Sequence, residues 1–387
     1  MKPEVVRLGI IGLGNMGRHH VDTVLNDRVP GCELTAVCDS NPVKQSVGKG
    51  LPFYTRSSDL IRSGKVDAVL IATPHYSHTP IGIEALEAGL HVLVEKPLSV
   101  HKADCLRLLA TPRQKSQVFA VMLNQRTDPY YQTIRRMVQD GELGRIHRIH
   151  WTITDWFRSQ AYYDSSSWRA TWEGEGGGVL LNQSVHNLDL FQWIFGMPHK
   201  VHAVCSLARY HYIEVEDEVS AIFQYYDGTT ATFITSTGEA PGVNRLEVIG
   251  DMGRLVKEGN RLSFHRNQVS SSDYIRSTPE GYLTPPVEIR NIDIPDHGEQ
   301  HTGIIKNFVG AILRDDKLLS PANDGIHAVE LINAMILSSM HQSIVELPIQ
   351  AAVYEKTLQN LIFNSHFHKT VSPYQGGFGN YLQKSST

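Results

Sequence analysis

Short apolar runs separated by helical spacing dominate the first third of the chain. The runs cover residues 5–11, 34–38, 66–72, 91–94 and 118–123, and loop residues followed by a helical stretch come after each of them. Alternation of this kind predicts a parallel sheet with right-handed crossovers. The first part of the chain is therefore expected to be a doubly wound α/β domain.

A different pattern begins after the fifth run. A helical stretch at 130–140 precedes strand-like segments at 145–153, 200–208, 219–226, 229–235 and 245–249, and helical patterns return at 302–313 and 325–340. Asp227 and Gly228 separate two of these segments and predict a hairpin turn. We therefore expect a second α/β domain with an antiparallel or mixed sheet. Residues 1–125 would form the first domain and residues 126–387 the second, with the junction near Arg126.

Composition narrows the class of protein. The 387 residues are 41% hydrophobic, enough for two domains, and the net charge of −4 shows no basic stripe suited to nucleic acid. The four cysteines are widely spaced, which favours reduced thiols over disulfides or a metal site. No stretch approaches the ~20 apolar residues that a bilayer requires. We expect a cytoplasmic protein without membrane or nucleic-acid partners.

A glycine fingerprint follows the first apolar run. Residues 12–17, Gly-Leu-Gly-Asn-Met-Gly, have G-x-G-x-x-G spacing, which suits a tight turn, close approach of a pyrophosphate and packing of helix on strand. Alone, such a turn could merely reverse the chain. Asp39 stands at the end of the second run, where a carboxylate can accept both ribose hydroxyls. Neither Ser40 nor Asn41 offers a guanidinium for a 2′-phosphate, so NAD is expected rather than NADP.

Two further motifs extend this pattern. Glu95-Lys96-Pro97 follows the fourth run, and residues 176–189 read Gly-Gly-Gly-Val-Leu-Leu-Asn-Gln-Ser-Val-His-Asn-Leu-Asp. Together with the glycine fingerprint, they resemble the Gfo/Idh/MocA oxidoreductase family, which includes glucose-fructose oxidoreductase and inositol dehydrogenases. The likeness spans nearly the whole chain and takes in Thr73-Pro74, His78, Trp168-Arg169, Leu347-Pro348 and Tyr354.

The resemblance implies a fold and an activity. It implies an N-terminal Rossmann domain and a C-terminal α/β domain whose large, open, predominantly antiparallel sheet carries the substrate site and an oligomer interface. A homodimer or homotetramer is expected. Members of the family mostly oxidise or reduce sugars, sugar derivatives or cyclitols with NAD(P).

Oxidation of a secondary alcohol requires a base for the hydroxyl proton and a cation beside the developing alkoxide. Lys96, at the carboxyl end of a predicted parallel strand, and His186, a proton shuttle near neutral pH, suit these roles. Asn182, His186 and Asp189 are spaced i, i+4 and i+7, so one helix would present all three on one face, with Asp189 or Asn182 fixing the tautomer. The alternatives are a solvated surface lysine and a helix start with an ordinary polar cap.

Asn182 departs from the family pattern, because many members carry an aspartate there that assists the catalytic histidine. An amide supplies no negative charge and instead offers a donor and an acceptor to substrate hydroxyls. The substrate or the favoured direction is therefore expected to differ from those of inositol dehydrogenases.

The sequence thus predicts a complete set of site residues without a metal. Catalysis is assigned to Lys96 and His186. The substrate site comprises Lys96, Asn182, His186, Arg126, Tyr163 and Trp172, although the aromatic residues would equally suit a core cluster. The cofactor site comprises Gly12, Gly14, Asn15, Met16, Gly17, Asp39, Ser40, Thr73, Pro74, His78, Glu95, Lys96, Gln125, Trp168 and Arg169.

Three functions fit these residues. The first is an NAD-dependent dehydrogenase for a ring hydroxyl or ketone of a sugar, sugar derivative or cyclitol. The second is a regulator that binds dinucleotide and sugar without turnover, against which the intact Lys96 and His186 argue. The third is a redox-neutral glycosidase that oxidises a sugar transiently and returns the hydride.

Overall fold

The computed structural model describes residues 4–295 and 297–372, which contain two sheets. The first has the order β3-β2-β1-β4-β5-β6 and is parallel throughout. Its strands are β1 (Val6–Ile11), β2 (Cys32–Cys38), β3 (Phe53–Tyr54), β4 (Ala68–Ile71), β5 (His91–Val94) and β6 (Phe119–Val121). This order, with crossover helices between strands, is that of a dinucleotide-binding Rossmann domain and confirms the predicted fold class.

The second sheet has nine strands in the order β14-β13-β12-β11-β7-β10-β9-β8-β15. Its strands are β7 (Ile146–Ile153), β8 (Lys200–Leu207), β9 (Glu216–Gln224), β10 (Thr230–Ser236), β11 (Asn244–Gly250), β12 (Gly253–Glu258), β13 (Arg261–Asn267), β14 (Val287–Asn291) and β15 (Val345–Glu346). Only β7 and β10 pair in parallel, so the sheet is mixed and largely antiparallel, as expected. The predicted turn at Asp227 and Gly228 joins β9 to β10.

Helices cover both faces of the first sheet and one face of the second. The α-helices are α1 (Asn15–Leu25), α2 (Ser57–Ile61), α3 (His78–Glu87), α4 (Lys102–Leu109), α5 (Pro129–Gln139), α6 (Gln160–Asp164), α7 (Val179–Asn182), α8 (Val185–Phe195), α9 (Ser271–Ser277), α10 (Gln300–Arg314), α11 (Gly325–His341) and α12 (Ala351–Phe363). Short 3₁₀ helices lie at Pro42–Gly48, His75–Ser77, Asn124–Thr127 and Ala322–Asp324. None of the described helices is long and apolar enough to cross a membrane.

One helix from the second half of the chain belongs to the core of the first. Ile304, Ile305, Phe308 and Val309 of α10 are buried among the apolar residues of β1, β2 and α1. The hydrophobic face of α10 therefore covers one side of the Rossmann sheet. The predicted boundary at residue 126 separates the two sheets but does not separate their cores.

The stretch expected to form a single helix around His186 is divided. Helix α7 ends at Asn182, Gln183 and Ser184 intervene, and α8 begins at Val185. Asn182 and His186 therefore belong to different helices, and the spacing expected for one helix face does not apply. The polar segment around residues 270–280 contains the short, exposed helix α9.

Candidate active site

The glycine turn between β1 and α1 is shaped to admit a ligand. Gly12 has φ +93°, and a Cβ there would lie 2.6 Å from the carbonyl oxygen of Ala72. A Cβ on Gly17 would lie 1.8 Å from the carbonyl oxygen of Gly12, so the third glycine is required for close packing of helix on strand. Gly14 faces open space, and α1 begins at Asn15 directly after it. Main-chain N–H groups at a helix start, next to open space, suit a pyrophosphate.

Asp39 lies beside this turn. Its Oδ2 accepts a hydrogen bond from the N–H of Leu13 at 2.7 Å, and its Oδ1 accepts one from the N–H of Asn41 at 2.9 Å. The carboxylate at the end of β2 is thereby fixed next to the fingerprint. This is the placement in which an acid can reach the ribose of a dinucleotide.

The turns after β4 and β5 are joined through His78. Its two ring nitrogens face the carbonyl oxygens of Pro97 at 2.8 Å and Thr73 at 3.0 Å. The peptide bond between Lys96 and Pro97 is cis. His78 therefore fixes the turn that carries Lys96 at the edge of the sheet where ligands of α/β folds bind.

Lys96 joins the two domains. Its Nζ donates a hydrogen bond to the main-chain carbonyl of Asn182 at 2.8 Å. Burial lowers the pKa of Lys96, while the carboxylates of Glu95 and Glu175 oppose that change. The ammonium thus lies at the junction where β5 of the first domain meets the loop that leads to His186.

His186 lies close enough to Lys96 for the charge of the ammonium to affect the pKa of its imidazole. Burial lowers its pKa well below the ordinary value, and the Lys96 ammonium lowers it further, so the imidazole is neutral near pH 7. Its ring stacks on Trp156 with the centroids 6.5 Å apart. Neither Asp189 nor the Asn182 side chain bonds to it in the described residues, because Asp189 pairs with Arg126 and the Asn182 amide donates to Glu175.

Several buried polar atoms in this region have no hydrogen-bond partner among the described residues. They include Thr73 Oγ1, Gln125 Oε1, Arg169 Nε and His186 Nδ1, each on a predicted site residue. Buried polar atoms are normally satisfied, and exceptions call for an explanation such as a ligand. These four atoms, with the open glycine turn, fit a bound dinucleotide and a polar substrate.

Arginines and aromatic rings line the same region. The guanidinium of Arg169 lies 4.5 Å from the ring centroid of Tyr162 and 4.6 Å from that of Trp168. Arg158 lies over the rings of Trp156 and Tyr162. Sequence reasoning identified Trp168 and Arg169 but missed Trp156 and Arg158. The position of Trp156 and Arg158 just beyond the end of β7 was the available signal.

Three residues predicted to bind the substrate have buried side chains. Arg126 is fully buried and pairs with Asp189 and Asp324. Tyr163 is buried with its hydroxyl 2.9 Å from Thr237 Oγ1, and Trp172 is buried in the core of the second domain. Their side chains serve packing and ion pairing, so we leave them out of the proposed substrate site. In the described residues, no group of three histidine, cysteine or carboxylate side chains is arranged to hold a metal ion.

Comparison with known protein families agrees with the fold and the motifs. Residues 6–123 match the oxidoreductase family with an NAD-binding Rossmann fold, and residues 131–256 match the GFO/IDH/MocA C-terminal domain. The chain therefore belongs to the Gfo/Idh/MocA family of oxidoreductases. The resemblance inferred from the motifs and the NAD-binding character of the first domain are both confirmed.

Individual relatives have low sequence identity to this chain but match most of its length. An inositol 2-dehydrogenase of Rhizobium meliloti is 26% identical over 86% of this chain and 96% of its own length. The uncharacterized oxidoreductase YdgJ of Escherichia coli is 28% identical over 87% of this chain and 97% of its own length.

Two solved structures share the fold. The WlbA dehydrogenase of Bordetella pertussis, in complex with NADH and UDP-GlcNAcA, has a TM-score of 0.76 at 24% identity, covering 89% of this chain and 100% of that one. Levoglucosan dehydrogenase in complex with NADH has a TM-score of 0.75 at 21% identity, with the same coverage.

Proposed function

We propose that the protein transfers a hydride between NAD and a ring hydroxyl or ketone of a sugar, sugar derivative or cyclitol. One observation carries the proposal: the 2.8 Å bond from Lys96 to Asn182 brings the cation of the first domain to the loop that precedes His186. Relatives that act on inositol and levoglucosan support the substrate class. The arginine and aromatic wall suits a ring that presents both hydroxyls and C–H faces.

The chemistry divides between two side chains. Bound NAD supplies the hydride acceptor. In oxidation, the neutral His186 accepts the proton of the substrate hydroxyl at a ring nitrogen, and the Lys96 ammonium stabilises the negative charge that develops on that oxygen. In reduction, the protonated imidazole returns the proton. The lowered pKa of His186 keeps its imidazole unprotonated near neutral pH, which is the form that can accept a proton.

Reduction of NAD in the presence of a panel of sugars and cyclitols tests the proposal. We expect at least one panel member to support turnover, and Lys96→Met and His186→Gln each to reduce kcat/KM by about 100-fold or more. Lys115→Met and His341→Gln, both at exposed positions, are matched controls that should retain activity. Glycoside cleavage without net reduction of NAD would favour a redox-neutral glycosidase, and binding without any turnover would favour a regulator.

We also infer that copies of the chain associate through the face of the second sheet that none of the described helices covers. Val204 on β8 and Ile222 on β9 are diagonal neighbours on that face and are 61% and 48% exposed. Exposed apolar side chains that cluster mark interaction surfaces. Light scattering should give a dimer or tetramer for the wild type and a smaller species for Ile222→Lys. A monomeric wild type would contradict the inference.

A further inference from the structure

A buried carboxylate lies in the loop that precedes α7 and His186. Glu175 directly precedes the triple glycine and is 2% exposed. Its Oε2 accepts a hydrogen bond from the N–H of Ala170 at 2.6 Å, and its Oε1 accepts one from the side-chain amide of Asn182. Both oxygens therefore act as acceptors, which suits the ionised form.

Asn182 connects this carboxylate to Lys96. Its side-chain amide donates to Glu175 while its main-chain carbonyl accepts from the Lys96 ammonium. The main-chain carbonyl of Glu175 in turn accepts from Nδ1 of His75, in the first domain, at 3.2 Å. Glu175 thus has hydrogen-bond partners in both domains, and it is the acceptor for the side-chain amide of Asn182.

The charges of Glu175 and Lys96 favour each other. Burial raises the pKa of Glu175, opposed by Arg169, by its hydrogen-bond donors and by Lys96. Burial lowers the pKa of Lys96, opposed by Glu95 and then by Glu175. An opposite charge nearby stabilises the ionised form of a buried group, so each of the two groups helps to keep the other charged.

Several other charged or titratable groups lie near this pair. Those that interact with Glu175 are Arg169, Lys369, Glu216, His75 and Tyr163. Those that interact with Lys96 are Glu95, Arg158, Arg169, His75, His78, His186 and His301. Glu95 is hydrogen-bonded to His20, whereas Glu175 is bonded to the loop of the second domain. Glu175 is therefore the carboxylate that links the charge of Lys96 to that loop.

We propose that Glu175 is a positioning residue for the hydride transfer proposed above: acting through Asn182, it holds the Lys96 ammonium against the end of α7, just before His186. This inference rests on the proposed function. It assigns to Glu175 no contact with the substrate, only an effect on the charge and the position of Lys96.

An exchange of the two side-chain groups tests the proposal. Glu175→Gln removes the charge, Asn182→Asp places two carboxylates face to face, and the double variant restores one carboxylate and one amide with donor and acceptor exchanged. Glu173→Gln, exposed and two residues earlier, is the matched control. For each variant, kcat/KM is measured across pH 5.5 to 10 with the best polyol of the panel, alongside KM for NAD and the thermal midpoint.

We expect Glu175→Gln to lower kcat/KM about tenfold or more, the size expected for loss of a hydrogen bond to a charged group, with little change in KM for NAD. The fall of kcat/KM at high pH, which we assign to loss of the Lys96 proton, should move to lower pH. The reason is that the ammonium has lost a neighbouring negative charge. The double variant should recover most of the activity, and its kcat/KM should fall at the same high pH as that of the wild type. A purely structural role for Glu175 would lower the rate without moving the pH of this fall.

Other outcomes would overturn the positioning role of Glu175. A Glu175→Gln enzyme with the wild-type pH profile, or a folded double variant no better than Glu175→Gln, would overturn the positioning role while leaving the proposed function intact. If Glu175→Gln does not fold, the double variant decides by comparison with the wild type, and failure of both to fold would assign Glu175 to folding instead. Absence of any turnover by the wild type would overturn both proposals.

Discussion

His20 Nε2 and Glu95 Oε1 lie 2.7 Å apart in the interior of the first domain, with both side chains almost fully buried. Burial alone would raise the pKa of Glu95. The hydrogen bond and the charge of His20, together with electrostatic interactions with His301 and Lys96, lower this pKa to about 2. The residue next to Lys96 is therefore a buried carboxylate whose side-chain hydrogen bond comes from His20 of α1.

Removal of that partner should destabilise the fold. His20→Ala leaves a buried charge uncompensated, which typically costs about 3–5 kcal/mol. His19→Ala, at the half-buried neighbouring position, should cost less than about 1 kcal/mol. Urea unfolding at pH 7 measures both values. Equal stability of the two variants would show that Glu95 does not require His20.

Asp39 should control the choice between NAD and NADP. Asp39→Ser removes the predicted acceptor for the ribose hydroxyls, and loss of hydrogen bonds to a charged group should weaken NADH binding by about 10- to 100-fold. Adding Ser40→Arg should shift the preference toward NADP, since the guanidinium can pair with a 2′-phosphate. Fluorescence titration with NADH and NADPH measures both affinities.

The control for this change is Glu33→Ala, at an exposed position early in the same strand. It should leave both affinities near the wild-type values, because its carboxylate lies at the opposite end of β2. An undiminished preference for NAD in the Asp39→Ser/Ser40→Arg variant would refute the assignment of Asp39.

The strands of the first domain other than β3 were predictable from sequence because most of their residues are buried. Strand β5 was expected at residues 91–94 and is found there, since its apolar run is continuous. The two-residue strands β3 and β15 were missed, as were β12, β13 and β14. All five residues of β14 are exposed, so no hydrophobic signal marks that edge of the second sheet.

The site was predictable only where a residue follows a recognisable element. Lys96 was found because it ends a strand, and Asp39 because it lies a fixed distance beyond the glycines. The contact of Asn182 with Glu175 was not predictable, because the loop between Gly174 and α7 has no regular spacing. The helix expected to span Asn182 and His186 is broken at Gln183 and Ser184, so the imidazole meets Trp156 rather than Asp189.

Arg126 should prove structural rather than substrate-binding. Its guanidinium forms two hydrogen bonds to Asp189, at 2.8 and 2.6 Å, and a third to Asp324 at 2.6 Å. Arg126→Met leaves Asp189 buried without its partner and should cost about 3–5 kcal/mol. The double variant Arg126→Met/Asp189→Leu should recover much of that loss, because both charges are removed together.

Urea unfolding measures these stabilities, and steady-state kinetics on the double variant separates the two roles. We expect its KM for the polyol to stay within about twofold of the wild-type value, because Arg126 does not contact the substrate. A twofold ratio corresponds to only ~0.4 kcal/mol of binding free energy. A large increase in KM without loss of stability would return Arg126 to the substrate site.

Glu216 should make the stability of the protein depend on pH near neutrality. Its Oε1 accepts hydrogen bonds from the N–H groups of Gly178 and Leu180, at 2.8 and 3.1 Å, and its Oε2 is buried without a hydrogen-bond partner among the described residues. Burial raises the pKa of this carboxyl from 4.5 to about 7. Between these two values, the folded state binds more protons than the unfolded state.

The contribution of Glu216 to stability should therefore fall as the pH rises from about 5 to about 7.5 and then level off, and it is fully present below 4.5. At about 1.4 kcal/mol per pH unit, the total change is about 3 kcal/mol. Glu216→Gln should remove most of this slope, since an amide does not titrate. Glu218→Gln, on the same strand but half-exposed and paired with Arg209, should retain it. Urea unfolding from pH 5 to 8.5 compares the three proteins, and the same pH dependence in the wild type and in Glu216→Gln would show that Glu216 does not bind the proton.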